Sequence, residues 1–201
     1  MTVTKGLKSY KVVILGDASV GKTSILGTLA YGVFDGNYNA TIGVDYVPKI
    51  VSLADGSTVK LNIWDTAGQE KFKSLIPTFL RDMIAGIVVF NICDRSSFEN
   101  VRSWVRFIQQ EQGDEIVSQL YLVGNKLDME STRLVTNSEA LELSNELGMK
   151  SYTELSAKTG FNIKELFSNI ASSIPQATTP LPRVHVKLEK LDQQAKPGCN
   201  C

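Results

Sequence analysis

The stretch that decides the fold is Gly16-Asp17-Ala18-Ser19-Val20-Gly21-Lys22-Thr23. It fits the pattern G-x-x-x-x-G-K-[ST]. The β-branched run YKVVIL at residues 10–15 precedes it, and residues 22–31 have the apolar spacing of a helix. A strand that ends in a glycine-rich turn and opens a helix is the context that this pattern requires. The stretch therefore predicts a phosphate-binding loop in an α/β domain.

Each constrained position of this loop has a chemical reason. Gly16 and Gly21 let the backbone curl so that successive N–H groups point at phosphate oxygens, and the helix start adds its positive dipole end. Lys22 is expected to reach the β- and γ-phosphates, and the Thr23 hydroxyl to bind Mg²⁺, which prefers oxygen ligands. The predicted nucleotide contacts in this loop are Gly16, Ala18, Ser19, Val20, Gly21, Lys22, Thr23 and Ser24. The loop alone does not separate a GTPase from an ATPase or a kinase.

Strand-like and helix-like runs alternate along the rest of the chain. Apolar or alternating runs predict strands at 10–15, 49–53, 59–64, 83–90 and 120–123, and amphipathic spacing predicts helices at 22–31, 98–110, 138–147 and 163–174. Asp55-Gly56, between two of the strands, is a hairpin signal. Such alternation predicts an α/β fold with a doubly wound, mostly parallel sheet.

Composition bounds the function. Of 201 residues, 21 are Lys or Arg and 21 are Asp or Glu, so the formal net charge is zero, which argues against a nucleic-acid-binding protein. Three cysteines are too few for a disulfide framework. The longest apolar run, 83–90, falls far short of the roughly 20 residues that span a bilayer. We expect a cytoplasmic, reduced protein with a domain at 1–174 and, from Pro175, a flexible tail at 175–201.

Two further motifs point to guanine. Asn125-Lys126-Leu127-Asp128 follows the strand at 120–123, and Ser156-Ala157-Lys158 follows a short apolar stretch. Both are expected where parallel strands end, which is the edge at which such sheets bind ligands. The Asp128 carboxylate can accept from both the N1–H and the 2-amino group of guanine, a donor pair that adenine lacks. The Ala157 N–H is predicted to donate to O6, while the Lys126 stem lies along the ring and Asn125 ties the loop together.

A third group of residues is suited to sense and cleave a γ-phosphate. Asp65-Thr66-Ala67-Gly68-Gln69-Glu70 follows the strand at 59–64. Asp65 is predicted to hold Mg²⁺ through a water, the Gly68 N–H to reach the γ-phosphate, and Gln69 to orient the attacking water. The Thr41 hydroxyl would add a ligand to Mg²⁺. The predicted catalytic residues are thus Lys22, Thr41, Gly68 and Gln69, with Thr23, Thr41 and Asp65 as metal ligands.

In this order the motifs resemble the Ras superfamily over residues about 8 to 174, and more narrowly the Rab GTPases. Three stretches carry the narrower resemblance: Thr41–Tyr46 (TIGVDY), Ile63–Glu70 (IWDTAGQE) and Lys71–Pro77 (KFKSLIP). The runs SLIP and ATIG are most similar to the Golgi-associated, retrograde-traffic Rab subgroup. The resemblance implies the P-loop NTPase fold, a mostly parallel six-stranded sheet with one antiparallel edge strand and helices on both faces.

The resemblance also implies function. It implies a GTP-hydrolysing switch that recruits effectors to a membrane in vesicle trafficking, with Phe34 against the guanine. Effectors would read Ile42, Gly43, Tyr46, Trp64 and Phe79. Cys199 and Cys201 match a doubly geranylgeranylated Cys-x-Cys ending, for which an exposed thiol pair and a metal clip are the alternatives. The implied partners are an exchange factor, a GTPase-activating protein, a GDP-dissociation inhibitor and a prenyl transferase with its escort protein, and the implied location is the cytosolic face of Golgi or endosomal membranes.

Two positions depart from some relatives. Ala18 and Ser19 stand where glycine occurs in some family members, close to the expected catalytic water. No arginine in the sequence is an obvious finger in cis, so we expect slow intrinsic hydrolysis that is accelerated in trans. A nucleotide-locked interaction module that barely turns GTP over is the alternative hypothesis. Cys93 is predicted to be a buried structural thiol.

Overall fold

The computed structural model describes residues 7–34, 44–53, 55–66 and 76–174. Within these ranges six strands form one sheet in the order β2-β3-β1-β4-β5-β6. β1 pairs in parallel with β3 and β4, β5 pairs in parallel with β4 and β6, and the edge strand β2 is antiparallel to β3. The strands are β1 Lys8–Leu15, β2 Val44–Ser52, β3 Thr58–Thr66, β4 Ala85–Asn91, β5 Leu120–Asn125 and β6 Ser151–Glu154.

Helices cover both faces of the sheet. Because side chains alternate along a strand, Val12 and Ile14 of β1 enter one apolar cluster, while Val13 and Leu15 enter the other. Helices α1 and α6 pack on the first face, and α2 to α5 pack on the second. The helices are α1 Lys22–Tyr31, α2 Ile76–Leu80, α3 Arg95–Glu99, α4 Val101–Gln112, α5 Asn137–Glu146 and α6 Ile163–Ser173, with 3₁₀ segments at Asp114–Gln119 and Leu127–Thr132. The predicted α/β fold is confirmed, including the antiparallel edge strand and the helices on both faces.

The hairpin between β2 and β3 closes at the predicted dipeptide. The Leu53 N–H donates to the Ser57 carbonyl oxygen at 2.8 Å, and Gly56 adopts a φ of 79°, which glycine tolerates best. The Asp55 carboxylate accepts from the backbone N–H of Ser57 at 2.9 Å. β2 begins at Val44, five residues before its predicted start, because Pro48 obscures the strand pattern. Proline lacks the N–H of a ladder and is tolerated on an edge strand such as β2.

The predicted helix at 98–110 is wrong at its start, because the chain forms two helices that meet at Asn100. The Asp94 carboxylate caps α3 by accepting from the Ser96 N–H at 3.1 Å. The Asn100 N–H donates to the Ser96 carbonyl oxygen, and the Asn100 carbonyl oxygen accepts from Trp104, both at 3.0 Å. The cap at Asp94, four residues before the predicted start, thus begins a separate short helix that apolar spacing alone does not reveal.

The prediction for Cys93 is also wrong, because its side chain is half-buried rather than buried. Cys93 lies just past the end of β4, where the chain leaves the core. Its Sγ accepts from the Thr132 hydroxyl at 3.3 Å and contacts the Met129 carbonyl oxygen at 3.4 Å. Among the described residues, no helix combines the length and the apolar character needed to cross a bilayer.

The N-terminus of α5 carries a capping box. The Thr136 hydroxyl accepts from the Glu139 N–H at 3.2 Å, and the Glu139 carboxylate accepts from the Thr136 N–H at 2.9 Å. Arg95 donates to the same carboxylate at 2.8 Å. These donors, first the Thr136 N–H and hydroxyl and then Arg95, lower the pKa of Glu139 from 4.5 to about 2.

This cap is expected to contribute a pH-dependent part of the stability. A carboxylate whose pKa is lower in the folded than in the unfolded chain stabilises the fold above the unfolded pKa. The contribution of Glu139 is therefore present at neutral pH and is lost as the pH falls from 4.5 to about 2. Urea unfolding should show Glu139→Gln to be less stable than wild type at about pH 7, with a difference that shrinks by about pH 3.

The matched control is Ser138→Ala, at an exposed neighbour on the same helix that carries no titratable group. Its stability difference from wild type should not change with pH. A difference for Glu139→Gln that stays constant over the same pH range would contradict the capping interpretation.

Candidate nucleotide site

The loop between β1 and α1 has room only for glycine at its two constrained positions. Gly16 adopts a φ of 137° and Gly21 a φ of 98°. A Cβ atom on Gly16 would lie 2.2 Å from the Val89 carbonyl oxygen, and one on Gly21 would lie 2.3 Å from Nδ2 of Asn125. Both approaches are closer than van der Waals contact, so a side chain at either position would displace the loop. The backbone is thus free to form an anion-binding turn ahead of α1.

Lys22 spans this loop from the first turn of α1. The residue is 5% exposed, and its Nζ donates to the carbonyl oxygens of Gly16 at 2.8 Å and Asp17 at 2.7 Å. Burial lowers the pKa of Lys22 to about 8, although the carboxylates of Asp65 and Asp17 oppose the shift. An ammonium group that is largely removed from water interacts strongly with a nearby anion. The surroundings of Lys22 therefore fit a phosphate group.

Thr23 and Asp65 meet at the end of β3, although they lie 42 positions apart in the sequence. The Thr23 hydroxyl donates to Oδ2 of Asp65 at 2.5 Å, and Asp65 is 1% exposed. A hydroxyl and a carboxylate brought together are the oxygen ligands that suit Mg²⁺. The donor set of these two predicted metal ligands therefore fits that ion.

The side chain of Asn125 joins three loops at the carboxyl ends of the strands. Asn125 is 1% exposed, and its Nδ2 donates to the carbonyl oxygen of Val20 in the phosphate loop at 2.8 Å. Its Oδ1 accepts from the backbone N–H groups of Lys126 at 2.7 Å and Ala157 at 3.1 Å. The two stretches expected to read the base are thus held against the phosphate loop by one amide. In this structure the Ala157 N–H donates to Asn125.

Asp128 ends the first of the two stretches expected to read the base, and its carboxylate contacts the second. Its side chain is 14% exposed. Its Oδ1 accepts from the Ser156 hydroxyl at 2.6 Å, and its Oδ2 lies 3.9 Å from the Lys158 ammonium group. These neighbours hold the carboxylate in one orientation and supply positive charge beside it. Phe34, expected to pack against the base, is 37% exposed three residues after the end of α1.

Three aromatic rings lie in a row across β2, β3 and α2. The ring centroids of Tyr46 and Trp64 are 5.3 Å apart, and those of Trp64 and Phe79 are 6.0 Å apart. Tyr46 is 40% exposed, and its hydroxyl donates to Oδ1 of Asn62 at 2.8 Å. The ammonium group of Lys11 lies 5.2 Å from the Trp64 ring centroid. The structure thus brings together three residues that are scattered in the sequence.

Several predicted site residues lie outside the described ranges. They are the switch residues Thr41, Ile42, Gly43, Gly68 and Gln69 and the tail residues Cys199 and Cys201. Their roles remain predictions.

Arg133, which the sequence patterns do not single out, forms ion pairs next to both stretches expected to read the base. Its guanidinium donates to both carboxylate oxygens of Glu154, at 2.7 and 2.8 Å, and to both of Glu130. Glu130 belongs to the 3₁₀ segment that carries Asp128, and Glu154 ends β6 just before Ser156. Tyr152 donates to Glu154 at 2.6 Å. An arginine in a polar loop is usually a solvated surface residue. The only local signal for Arg133 is its three-residue spacing from Glu130, which allows an ion pair between them.

A family model identifies the chain. The model described as the Ras family matches residues 11–176, which include every loop discussed above. The chain therefore belongs to the Ras family. It is a small GTPase switch that binds guanine nucleotide with Mg²⁺, hydrolyses GTP, and works with regulators and effectors.

The ion pairs of Arg133 are expected to matter for stability. Arg133→Met leaves Glu154, whose side chain is 11% exposed, without its cation. Removing one partner of a buried ion pair costs about 3–5 kcal/mol, so we expect a large loss in the free energy of unfolding, up to that size. Urea unfolding of the nucleotide-bound protein would measure it.

Arg102→Met is the matched control. It removes an equally bidentate pair with Glu146, but the two side chains are 45% and 60% exposed. An exposed pair contributes little to stability, so the loss should be much smaller than that of Arg133→Met. Equal losses for the two variants would show that the Arg133 pair behaves as a surface pair.

Proposed function

We propose that this Ras-family GTPase is a Rab-type switch that recruits effectors to a membrane in its GTP form and regulates vesicle trafficking at the Golgi. The row of Tyr46, Trp64 and Phe79 is the observation that carries the proposal. Tyr46 leaves part of its ring open to a partner, and Trp64 joins it to α2. These are the three aromatic positions at which the chain resembles the effector-reading triad of Rab proteins.

The proposed nucleotide contacts follow the geometry of the loops. Lys22 and the backbone N–H groups at residues 16–24 bind the phosphates, and Asp128 accepts from the base. Asn125 keeps the phosphate and base loops at a set distance, since its amide contacts Val20 on one side and Ala157 on the other. Ser156 and Lys158 orient the Asp128 carboxylate toward the base. Phe34 and the Lys126 stem cover the ring.

Thr23, Asp65 and Thr41 are proposed to hold Mg²⁺, with Asp65 acting through a water. When bound, the ion neutralises charge that develops between the β- and γ-phosphates. Gln69 orients the attacking water, and the Gly68 N–H and Thr41 sense the γ-phosphate. Loss of that group releases both segments, which is how the chain would switch. Ala18 and Ser19 are exposed on the phosphate loop, and their side chains would lie near the catalytic water and an arginine supplied by a GTPase-activating protein, so they bear on the hydrolysis rate.

The proposed membrane cycle depends on the tail. In this proposal the nucleotide domain spans 1–174, and the tail at 175–201, which ends in Cys199 and Cys201, would tether it to the membrane. Two geranylgeranyl groups suit stable anchoring, which generally takes two signals. A prenyl transferase with its escort protein would add them, and a GDP-dissociation inhibitor would carry the GDP form through the cytosol. An exchange factor would then load GTP at Golgi or endosomal membranes.

Hydrolysis is tested by single-turnover decay of radiolabelled GTP. Wild type should decay slowly, with a rate constant on the order of 10⁻⁴ s⁻¹, and a GTPase-activating domain should raise it by orders of magnitude. Gln69→Leu should lose most of that acceleration because leucine cannot orient the water. Gln110→Leu, the same change at an exposed position of α4, is the control. If wild type and Gln69→Leu decay equally slowly even with an activating domain present, the locked interaction module is the better description.

Membrane attachment is tested by mass spectrometry of the chain made in a eukaryotic host. We expect prenyl groups on Cys199 and Cys201, and we expect the GTP-locked protein to accumulate on Golgi membranes. The variant Cys199→Ser/Cys201→Ser should stay in the soluble fraction, whereas Cys93→Ser, which changes the half-buried thiol, should still sediment. Unmodified tail cysteines, or sedimentation that the double variant does not change, would refute the lipid proposal.

A further inference from the structure

The side chain of Asp17 anchors the phosphate loop to a distant helix. Its Oδ1 accepts from the Trp104 indole N–H at 2.8 Å, and its Oδ2 accepts from Nδ2 of Asn100 at 2.7 Å. The donors lie 87 and 83 positions away in the sequence. Both hydrogen bonds involve a charged acceptor, which makes them stronger than neutral ones. Asp17 is an unconstrained position of the loop pattern, so the motif does not explain this arrangement.

The main chain of the same residue contacts the buried lysine of the site. The Asp17 carbonyl oxygen accepts from Nζ of Lys22 at 2.7 Å. One residue thus has its side chain held by α4 and its main chain held by α1. Together the two contacts fix the orientation of the peptide that follows Gly16, at the point where the backbone turns toward the expected phosphates.

The fold holds the two donors in different ways. Trp104 is 5% exposed and belongs to the apolar cluster on the sheet face covered by α2 to α5. Its ring packs edge to face against that of Phe107, with 6.3 Å between the ring centroids. Asn100 stands at the junction of α3 and α4, where its main chain bonds to Ser96 and Trp104. The Trp104 indole is buried, whereas the Asn100 side chain is exposed and its position is set by the main chain at the helix junction. The buried indole therefore offers Asp17 a partner of fixed position, which lowers the entropic cost of ordering the loop on binding.

The anchor also fixes where the Asp17 carboxylate lies. A carboxylate on a phosphate-binding loop repels an anion, and the repulsion grows when the group is free to approach. Asn100 and Trp104 hold the Asp17 carboxylate on the α4 side and partly compensate its charge through two N–H dipoles. The loop thus keeps an acidic residue without presenting it to the nucleotide.

We propose that Asp17 is a positioning residue for nucleotide retention, held by Asn100 and Trp104 so that the phosphate loop keeps its binding conformation. This proposal rests on the proposed nucleotide site. It assigns to the α3–α4 junction a role in how slowly GDP leaves.

The test measures the rate at which fluorescent GDP leaves the loaded, full-length protein after a chase with unlabelled GDP. Asp17→Ala and Trp104→Phe should release GDP about tenfold faster, the effect of losing a hydrogen bond to a charged group. Asp17→Asn should stay within about threefold of wild type, because its amide can keep both bonds once the Asn100 amide turns over. The pair Asp17→Ala/Asn100→Ala should release GDP no faster than Asp17→Ala alone, since the contact is already lost.

Two controls separate positioning from general stability. Val105→Ala, a buried change on α4, should lower the free energy of unfolding yet leave GDP release within about twofold of wild type. Ser103→Ala, an exposed change on the same helix, should alter neither. The proposal is overturned if Asp17→Ala releases GDP at the wild-type rate, if the effects of Asp17→Ala and Asn100→Ala simply multiply, or if Val105→Ala speeds release equally. If wild type does not retain GDP at all, the proposed nucleotide site itself fails.

Discussion

The amide of Asn125 sets the distance between the parts of the site. It is nearly excluded from water, and it bonds to the phosphate loop, to its own loop and to the loop after β6. These loops leave β1, β5 and β6, so the parallel sheet brings their ends to one edge and Asn125 connects them there. The glycine at position 21 belongs to the same constraint, because any side chain there would strike this amide. The loops proposed to bind the phosphates and the base are thus parts of one packed unit.

The chain has no net charge, yet this edge of the sheet holds buried charged side chains. Lys22 is buried with its charge directed at uncharged carbonyl groups, and its lowered pKa records the cost of that desolvation. Asp65 is buried beside Thr23. Such groups are costly to hold in the folded chain, and an anion with its cation offsets the cost. If nucleotide binds at the proposed site, its binding adds to the stability of the fold.

Contiguous features were predictable from the sequence, whereas features formed across the fold were not. The phosphate loop, the hairpin at Asp55-Gly56 and the alternation of strands and helices each depend on neighbouring residues, and each was found. The break at Asn100 was missed because a side-chain cap at Asp94, rather than apolar spacing, starts α3. Arg133 and Asp17 were missed because their partners lie up to 87 positions away, and a charged side chain in a loop gives no sign of a distant partner. The half-burial of Cys93 depends on where the chain leaves β4, which a strand pattern locates only approximately.

The two edge strands of the sheet, β2 and β6, affect whether copies of this chain can associate by strand pairing. An open edge offers unpaired N–H and C=O groups to which another chain can add. β2 carries Pro48, which has no N–H to offer, and β6 at the opposite edge is four residues long. Neither edge presents a long, regular row of donors and acceptors. Copies of this chain held side by side at high local concentration are thus protected against edge-to-edge strand pairing, and their exposed loops stay available to other proteins.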